Sequence, residues 1–192
     1  MNKKTADKTS PATAPTAPDV LAFATPDLAD AGQGVVLVAH SDGKSHATVA
    51  TFVVDVHCLG VRKVSLTELP LKTLLNQALP ALKVAPVPSP VARGIVEGAA
   101  AYAKKLGFAA PETLAQGLAV FGKTPPTAPP FAFGQAGKPF YTQQSGDDAD
   151  FVEMVLARLE KICGEGGFGY ELDETGEDWL DGEEQAEAAE EE

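Results

Sequence analysis

An Asp-Gly dipeptide between two runs rich in β-branched residues constrains the fold of this chain more than any other local feature. Asp42-Gly43 follows residues 35–40 and precedes residues 47–57, and Val, Ala and Thr dominate both of these runs. A type I′ turn requires positive φ at both central residues, so Asp-Gly is typical of a two-residue loop between antiparallel strands. The sequence therefore predicts a β-hairpin.

The register that a two-residue loop imposes predicts which side chains share a face of this hairpin. It places Leu37 opposite Thr48, so that Leu37 shares a face with Phe52 and Val54. Both faces are apolar in the middle of the hairpin. We therefore expect the hairpin in the interior of a sheet.

Capping signals predict helices around this hairpin. A helix that begins at Ser89-Pro90 and ends at Gly107 has a capping Ser, a Pro at its first position and a Gly at its end. Strands that come in hairpins, with helices grouped between them, favour an α+β fold, with a largely antiparallel sheet and four helices packed on it. The other predicted elements are helices over 68–79, 111–121 and 147–163, a second hairpin over 131–142 and a final strand over 167–172.

Charge divides the chain into a neutral body and an acidic end. The formal net charge is -12, and residues 171–192 carry 12 acidic residues and no basic one. Such a block repels itself and has little apolar surface to bury, whereas the start of the chain is rich in Ala, Pro and Thr. We expect a disordered arm over 1–33, a single α+β domain over 34–172 and a disordered acidic tail over 173–192.

Two apolar residues interrupt the acidic tail. Trp179 and Leu180 lie between Asp178 and Asp181. An aromatic side chain flanked by carboxylates is suited to anchor in a groove rimmed by Lys or Arg. These four residues are therefore predicted to bind a protein partner with a basic surface, the alternative being a tail that only increases solubility.

Composition argues against several other classes of partner. No apolar run approaches the roughly 18 residues of a membrane span, and the chain does not start with an apolar signal peptide, so we expect a cytoplasmic protein that does not bind membranes. Lys3, Lys4 and Lys8 are too few to neutralise several phosphates, which argues against direct nucleic-acid binding. Cys58 and Cys163 are read as reduced thiols, and no cofactor is expected because no cofactor-binding motif is present.

Several short runs of the sequence together carry a resemblance to a known family. They are Val53–Val61, Gly98–Ala103, Leu106–Phe108, Gly137–Phe140 and the pair Asp147-Asp148. On these runs the sequence resembles a family of uncharacterised bacterial proteins over roughly residues 34–172. The resemblance implies a bacterial origin and a single compact domain, but no activity is assigned to that family.

Asp55, His57 and Cys58 are the candidates for catalytic residues. On a regular strand Asp55 and His57 share a face, with Cα atoms about 6.6 Å apart, and a carboxylate there can orient an imidazole base or help to bind a metal. The pair lacks a visible third member. Cys58 falls on the other face together with Phe52, where we expect it to pack as an unactivated thiol.

Asp147 and Asp148 are the candidates for metal ligands. Neighbouring carboxylates can bind Mg²⁺. Acidic residues at a helix N-terminus also accept hydrogen bonds from unpaired backbone N–H groups and oppose the positive end of the helix dipole, which requires no metal. The helix interpretation is favoured here.

These observations favour a non-catalytic bacterial interaction or accessory protein whose acidic tail contacts a basic partner. The alternative is a small hydrolase or metal-dependent enzyme that uses Asp55 and His57, joined by Asp147 or Asp148 if the fold brings them close.

Overall fold

A computed structural model describes residues 20–41 and 45–173, and within them the fold is α+β, as predicted. The tail residues Trp179 and Leu180 lie outside the described residues. In chain order the elements are β1 (Val20–Ala24), α1 (Leu28–Ala31), β2 (Gln33–Ser41), β3 (His46–Asp55), β4 (Gly60–Pro70), α2 (Leu71–Thr73), a π-helical turn (Leu74–Ala78), α3 (Leu79–Leu82), β5 (Ala85–Pro86), α4 (Ser89–Lys105), α5 (Leu114–Ala119), β6 (Phe140–Thr142), α6 (Ala149–Cys163) and β7 (Gly169–Glu171).

The main sheet has five antiparallel strands in the order β4-β3-β2-β1-β5. The hairpin β2–β3 lies in its interior, as predicted, because β1 flanks it on one side and β4 on the other. A separate pair, β6 and β7, runs parallel.

The predicted register of β2 and β3 is wrong by three residues. Leu37 lies opposite Thr51, and the last pair before the turn is Ser41 with Ala47, so the loop is longer than Asp42-Gly43 alone. A shift by an odd number exchanges the faces, so Val36 and Val38, and not Leu37, lie on the face of Phe52. Hydrophobicity could not reveal the error because β2 is buried on both faces.

The core lies on both sides of this sheet. On one face, Val36, Phe52 and Val54 pack against α4 and the residues that follow α5. On the other face, Leu37 and Val49 pack beneath the helical segment 71–82. A third cluster joins the end of α4 to α6, and its buried members are Cys58, Leu59, Ala103, Leu106, Phe108, Tyr141, Val152, Val155 and Leu159.

The ordered domain begins earlier than the predicted boundary at residue 34. Residues 20–24 form β1, which pairs with both β2 and β5, and α1 follows it. Residues 1–19 lie outside the described part of the chain. The short run of apolar residues in β1 carries no alternation that would mark it as a strand, and its pairing is fixed by tertiary contacts.

Two further predictions of local structure are corrected. The helix predicted from residue 68 begins only at Leu71, because β4 stays paired with β3 as far as Pro70. The hairpin predicted over 131–142 is reduced to a bridge between Gln135 and Lys138, and β6 pairs with β7 instead.

The helix predicted from Ser89 forms as α4, which ends at Lys105. Ser89 does not cap it, since its hydroxyl donates to the carbonyl of Val20 at 3.1 Å. A Cβ atom at Gly94 would collide with the backbone carbonyl of Thr127, so this glycine permits a close approach of the connector that follows α5.

Candidate functional site

Asp55 closes the turn between β3 and β4. It is the last residue of β3, and its Oδ1 accepts hydrogen bonds from the backbone N–H groups of His57 at 2.9 Å and Cys58 at 2.7 Å. Asp and Asn commonly close turns in this way, by bonding to the backbone two or three residues ahead. The carboxylate therefore satisfies two backbone donors that the turn would otherwise leave buried without partners.

The second oxygen of Asp55 is an exception to the usual pairing of buried polar atoms. The residue is 1% exposed, and among the described residues its Oδ2 has no hydrogen-bond partner. Burial raises the pKa of this carboxyl, and the hydrogen bonds from the backbone of Cys58, Leu59 and His57 oppose that change only in part. Asp55 therefore keeps its proton to a higher pH than an exposed aspartate does.

His57 is held by the backbone of α1. Its Nε2 lies 2.9 Å from the carbonyl oxygen of Ala29, so this nitrogen carries the proton, and the ring packs directly on Gly32. The side chain is buried, with 6% of its surface exposed. The imidazole therefore fastens the turn to α1.

Backbone hydrogen bonds tie the same turn to two other segments. The N–H of Val56 donates to the carbonyl of Gly32 at 2.7 Å, and the carbonyl of Val56 accepts from Gly134 at 2.9 Å. The carbonyl of His57 accepts from Phe140, the first residue of β6, at 3.1 Å. Residues 55–58 thus form a junction where α1, the segment before β6 and the main sheet meet.

The predicted pairing of Asp55 and His57 on one strand face is wrong, because β3 ends at Asp55 and the following residues turn. The carboxylate bonds to the turn, whereas the imidazole bonds to α1. Both side chains are buried, so this geometry leaves a substrate no access to either group.

Cys58 is buried, as the sequence predicts, but against different neighbours. It packs with Leu106 and Tyr141 in the cluster beside α6, and not with Phe52, because it lies in the turn and not on the strand. Burial, and after it the nearby Asp55 carboxylate, raise the pKa of the thiol. A thiol in this environment packs as a small apolar group.

Asp147 is buried and forms an ion pair with the half-buried Arg62 of β4. The two side chains are 3% and 24% exposed respectively, and the guanidinium contacts both carboxylate oxygens. Oδ2 of Asp147 also accepts from the hydroxyl of Tyr141 at 3.0 Å and from the backbone N–H of Gln144 at 3.1 Å. This cluster joins β4 to β6 and to the segment that leads into α6.

The partners of Asp147 determine its ionisation. Burial acts to raise the pKa of this carboxyl, but the hydrogen bonds from Arg62, from the backbone of Gln144 and from Tyr141 outweigh burial and lower it. The pKa of Tyr141 is raised, first by burial and then by its hydrogen bond to the carboxylate. Asp147 is therefore a carboxylate at neutral pH.

Asp148 caps α6, as the helix interpretation predicts. Its Oδ1 accepts from the backbone N–H of Phe151 at 2.8 Å. Within residues 20–41 and 45–173, no group of three or more His, Cys, Asp and Glu side chains is placed to hold a metal ion. Asp147 and Asp148 therefore have separate structural roles and do not join Asp55.

Sequence reasoning missed Arg62. Asp147 lies 85 residues from it in the chain, and no local motif connects the two residues. One feature of the sequence does point to such a pair, because Arg62 stands in a run that predicts a strand. A cation at the edge of a core requires a carboxylate partner.

Comparisons with known proteins add no site to this description. No protein-family model, curated protein or solved structure matches the chain. Among the helices of the described residues, none is both long enough and apolar enough to cross a membrane. The tail residues Asp178, Trp179, Leu180 and Asp181 lie outside the described residues, so their predicted role in partner binding stays a prediction.

Proposed function

We propose that the chain is a non-catalytic interaction protein of the bacterial cytoplasm, and that its acidic tail binds a partner with a basic surface. The observation that carries this proposal is the distribution of charge. Residues 171–192 hold 12 acidic residues and no basic one, whereas acids and bases balance in the remainder of the chain. A field of one sign confined to one segment attracts a surface of the opposite sign and speeds their association.

The contacts that the candidate catalytic side chains make within the fold support the same proposal. Oδ1 of Asp55 bonds to the turn, Nε2 of His57 bonds to the carbonyl of Ala29, and Cys58 is packed in an apolar cluster. Each group has a structural use at the junction that residues 55–58 form with α1, the segment before β6 and the main sheet. The free thiols of Cys58 and Cys163 fit a reducing compartment such as the cytoplasm.

Trp179 and Leu180 provide a means of recognising one particular partner, which charge alone does not provide. Acidic residues give an attraction that is largely indifferent to the identity of a basic partner and that weakens with salt. A buried Trp commonly dominates the binding energy of an interface, and its loss costs about 2 kcal/mol or more. We therefore assign recognition to the pair Trp179-Leu180 and attraction to the acids around it.

The test compares the full chain with three variants in capture from a lysate of the cells that produce it. The first variant lacks residues 174–192, the second carries the same residues in shuffled order, and the third carries Trp179→Ala and Leu180→Ala. Capture is measured at low and at high salt, and each captured protein is identified by mass spectrometry. The shuffled variant is the matched control, because it keeps the charge and composition of the tail.

The proposal predicts one dominant protein with a basic surface. It is captured by the full chain, lost from the truncated and double variants, and reduced by salt. Equal capture of that protein by the truncated chain at both salt concentrations would contradict a role for the tail. Equal capture by the shuffled variant would show that charge alone is recognised, and would contradict the role of Trp179-Leu180.

A further inference from the structure

An apolar groove with arginines at its rim lies between α6 and the segment 108–111. It has a volume of about 400 Å³, and Leu59, Phe108, Phe151 and Met154 form its apolar lining. Met154 is 37% exposed, so part of this apolar lining faces solvent. We call this the α6 groove.

Two arginines lie over aromatic rings of the α6 groove. The guanidinium carbon of Arg62 is 5.6 Å from the ring centre of Phe151, and that of Arg158 is 5.4 Å from the ring centre of Phe108. Arg62 is already paired with Asp147. Arg158 donates to the carbonyl of Gly107 at 2.6 Å, and none of the described carboxylates forms an ion pair with it.

Two lysines lie near the end of the groove that is formed by Gly107 and Phe108, and acidic residues (Glu112, Asp150 and Glu153) adjoin its other lining residues. Lys104 and Lys105 occupy the last turn of α4, both are exposed, and Gly107 follows them at the point where Arg158 binds. An occupant of this groove should therefore combine a large apolar side chain with flanking carboxylates. Those are the features of Asp178-Trp179-Leu180-Asp181.

We propose that Trp179 and Leu180 of this same chain dock in the α6 groove, with the neighbouring acids of the tail against Arg158 and the end of α4. The inference does not depend on the proposed partner. Where both hold, the groove and the partner compete for the same segment, and the partner must displace the tail from the domain.

The described end of the chain lies close enough for this contact. Leu172 and Asp173 line a groove on the side of α6 that carries Ala149 and Glu153. A helix with its side chains is about 10–12 Å across, so the path around half of it is about 16–19 Å. The six residues from Asp173 to Trp179 span about 20 Å when extended, which is enough to reach the opposite side.

The short connection also makes a weak contact sufficient. A segment tethered by only a few residues is presented to its groove at an effective concentration in the millimolar range. An affinity of about 1 mM would then dock the segment in roughly half of the molecules. Docking is expected to be partial and sensitive to salt, because the charges involved are exposed.

Fluorescence tests the proposal directly, since Trp179 is the only tryptophan in the chain. The full chain and a synthetic peptide of residues 174–192 are compared by emission maximum and by acrylamide quenching, at low and high salt. In the full chain at low salt we expect emission at a shorter wavelength and a quenching constant about two-fold lower, as half-occupied docking requires. High salt should bring the full chain towards the peptide.

Groove variants identify the docking site. Met154→Glu places a like charge in the apolar lining, and Arg158→Glu reverses the charge at the rim, so both should return the fluorescence of the full chain to that of the peptide. Leu75→Glu and Lys72→Glu are matched controls, because these two exposed residues lie on the helical segment at the other face of the sheet, and they should have no effect. Arg158→Gln is measured beside them and replaces either Glu variant that circular dichroism shows to be unfolded. It removes the charge at the rim and should also move the fluorescence towards that of the peptide.

Three outcomes would overturn the proposal. The full chain could match the peptide at low salt, the groove variants could leave the shift unchanged, or the shift could grow with protein concentration. The last result would show docking between two copies and not within one. The fluorescence of Trp179 tests docking alone, whereas capture of the partner tests the proposed function. Either experiment can fail without the other, so the two proposals can be distinguished.

Discussion

Two buried aspartates beside the start of β4 differ in almost everything except their burial. Asp55 is 1% exposed and Asp147 is 8% exposed. The pKa of Asp55 is raised by burial, whereas the pKa of Asp147 is lowered despite burial. Asp55 receives backbone N–H groups only, while Asp147 receives a guanidinium, a hydroxyl and a backbone N–H.

The difference shows that burial alone does not decide the charge of a carboxyl. Removal from water disfavours the ionised form in both residues. A cation at contact distance compensates for this loss at Asp147, whereas neutral backbone amides do not fully compensate for it at Asp55. A buried acid with a raised pKa is often taken as a sign of catalysis, but here the raised pKa accompanies a carboxylate that closes a turn.

Removal of the Asp147 side chain should have the largest effect on stability. Asp147→Ala leaves the guanidinium of Arg62 and the hydroxyl of Tyr141 without their partner, and should lower the free energy of unfolding by about 3 kcal/mol. Urea titration followed by circular dichroism measures this. A loss below about 1 kcal/mol is what an exposed salt bridge gives, and it would contradict the stabilising role assigned to the buried Asp147 carboxylate.

Removal of the Asp55 side chain should have a smaller effect. Asp55→Ala leaves the N–H groups of His57 and Cys58 unsatisfied in a buried turn, which should lower the free energy of unfolding by about 2 kcal/mol. Asp55→Asn is the matched control. It retains an oxygen acceptor, so its free energy of unfolding should fall by much less. Equal losses in both variants, measured by the same urea titration, would show that the charge and not the turn matters.

The two carboxyls should respond to pH in opposite directions. Because the folded pKa of Asp55 is raised, its contribution is fully present below its unfolded pKa near 3.8 and is lost as pH rises through the folded pKa. Because the folded pKa of Asp147 is lowered, its contribution is present above 3.8 and is lost as pH falls through the folded pKa. The two contributions therefore oppose each other across the acidic range.

The corresponding variants should separate these trends. The free energy of unfolding of wild type minus that of Asp55→Asn should decrease as pH rises. The free energy of unfolding of wild type minus that of Asp147→Asn should decrease as pH falls. Each unit of displacement in pKa corresponds to about 1.4 kcal/mol. Urea titrations at a series of pH values measure both differences, and slopes of the same sign would contradict the contrast between the two sites.

The smallest expected effect is that of the Tyr141 hydroxyl. Tyr141→Phe removes one of the hydrogen bonds to Asp147 and should cost about 1 kcal/mol, with a rise in the pKa of Asp147. Carbon-13 NMR of the carboxyl groups measures that pKa in wild type and variant. An unchanged pKa would mean that Arg62 and the backbone of Gln144 alone hold the carboxylate.

The elements with strong local signals could be predicted from the sequence. The cap at Asp148, the Ser89-Pro90 start and the β-branched runs on either side of residues 42–44 led to α6, α4 and the central hairpin. The α+β class followed from their order. These signals are local, because caps and side-chain alternation act within a few residues.

The features that fix the candidate site depend on contacts that are distant in sequence. The pairing of Arg62 with Asp147 and the insertion of β1 beside β2 are tertiary contacts, for which no local pattern exists. The register of β2 was ambiguous because both of its faces are apolar. Asp55 was expected within a strand, since nothing in residues 53–58 resembles a Gly- or Pro-containing turn.

We propose that the tail recognises the partner, whereas the buried groups around Asp55 stabilise the fold. The most direct test is titration of the captured partner with the full chain, with the Trp179→Ala, Leu180→Ala double variant and with Asp55→Asn. We predict that the double variant raises the dissociation constant by about 30-fold or more, the equivalent of about 2 kcal/mol. Asp55→Asn should leave the dissociation constant unchanged. Loss of binding in Asp55→Asn, with full affinity in the double variant, would contradict the account.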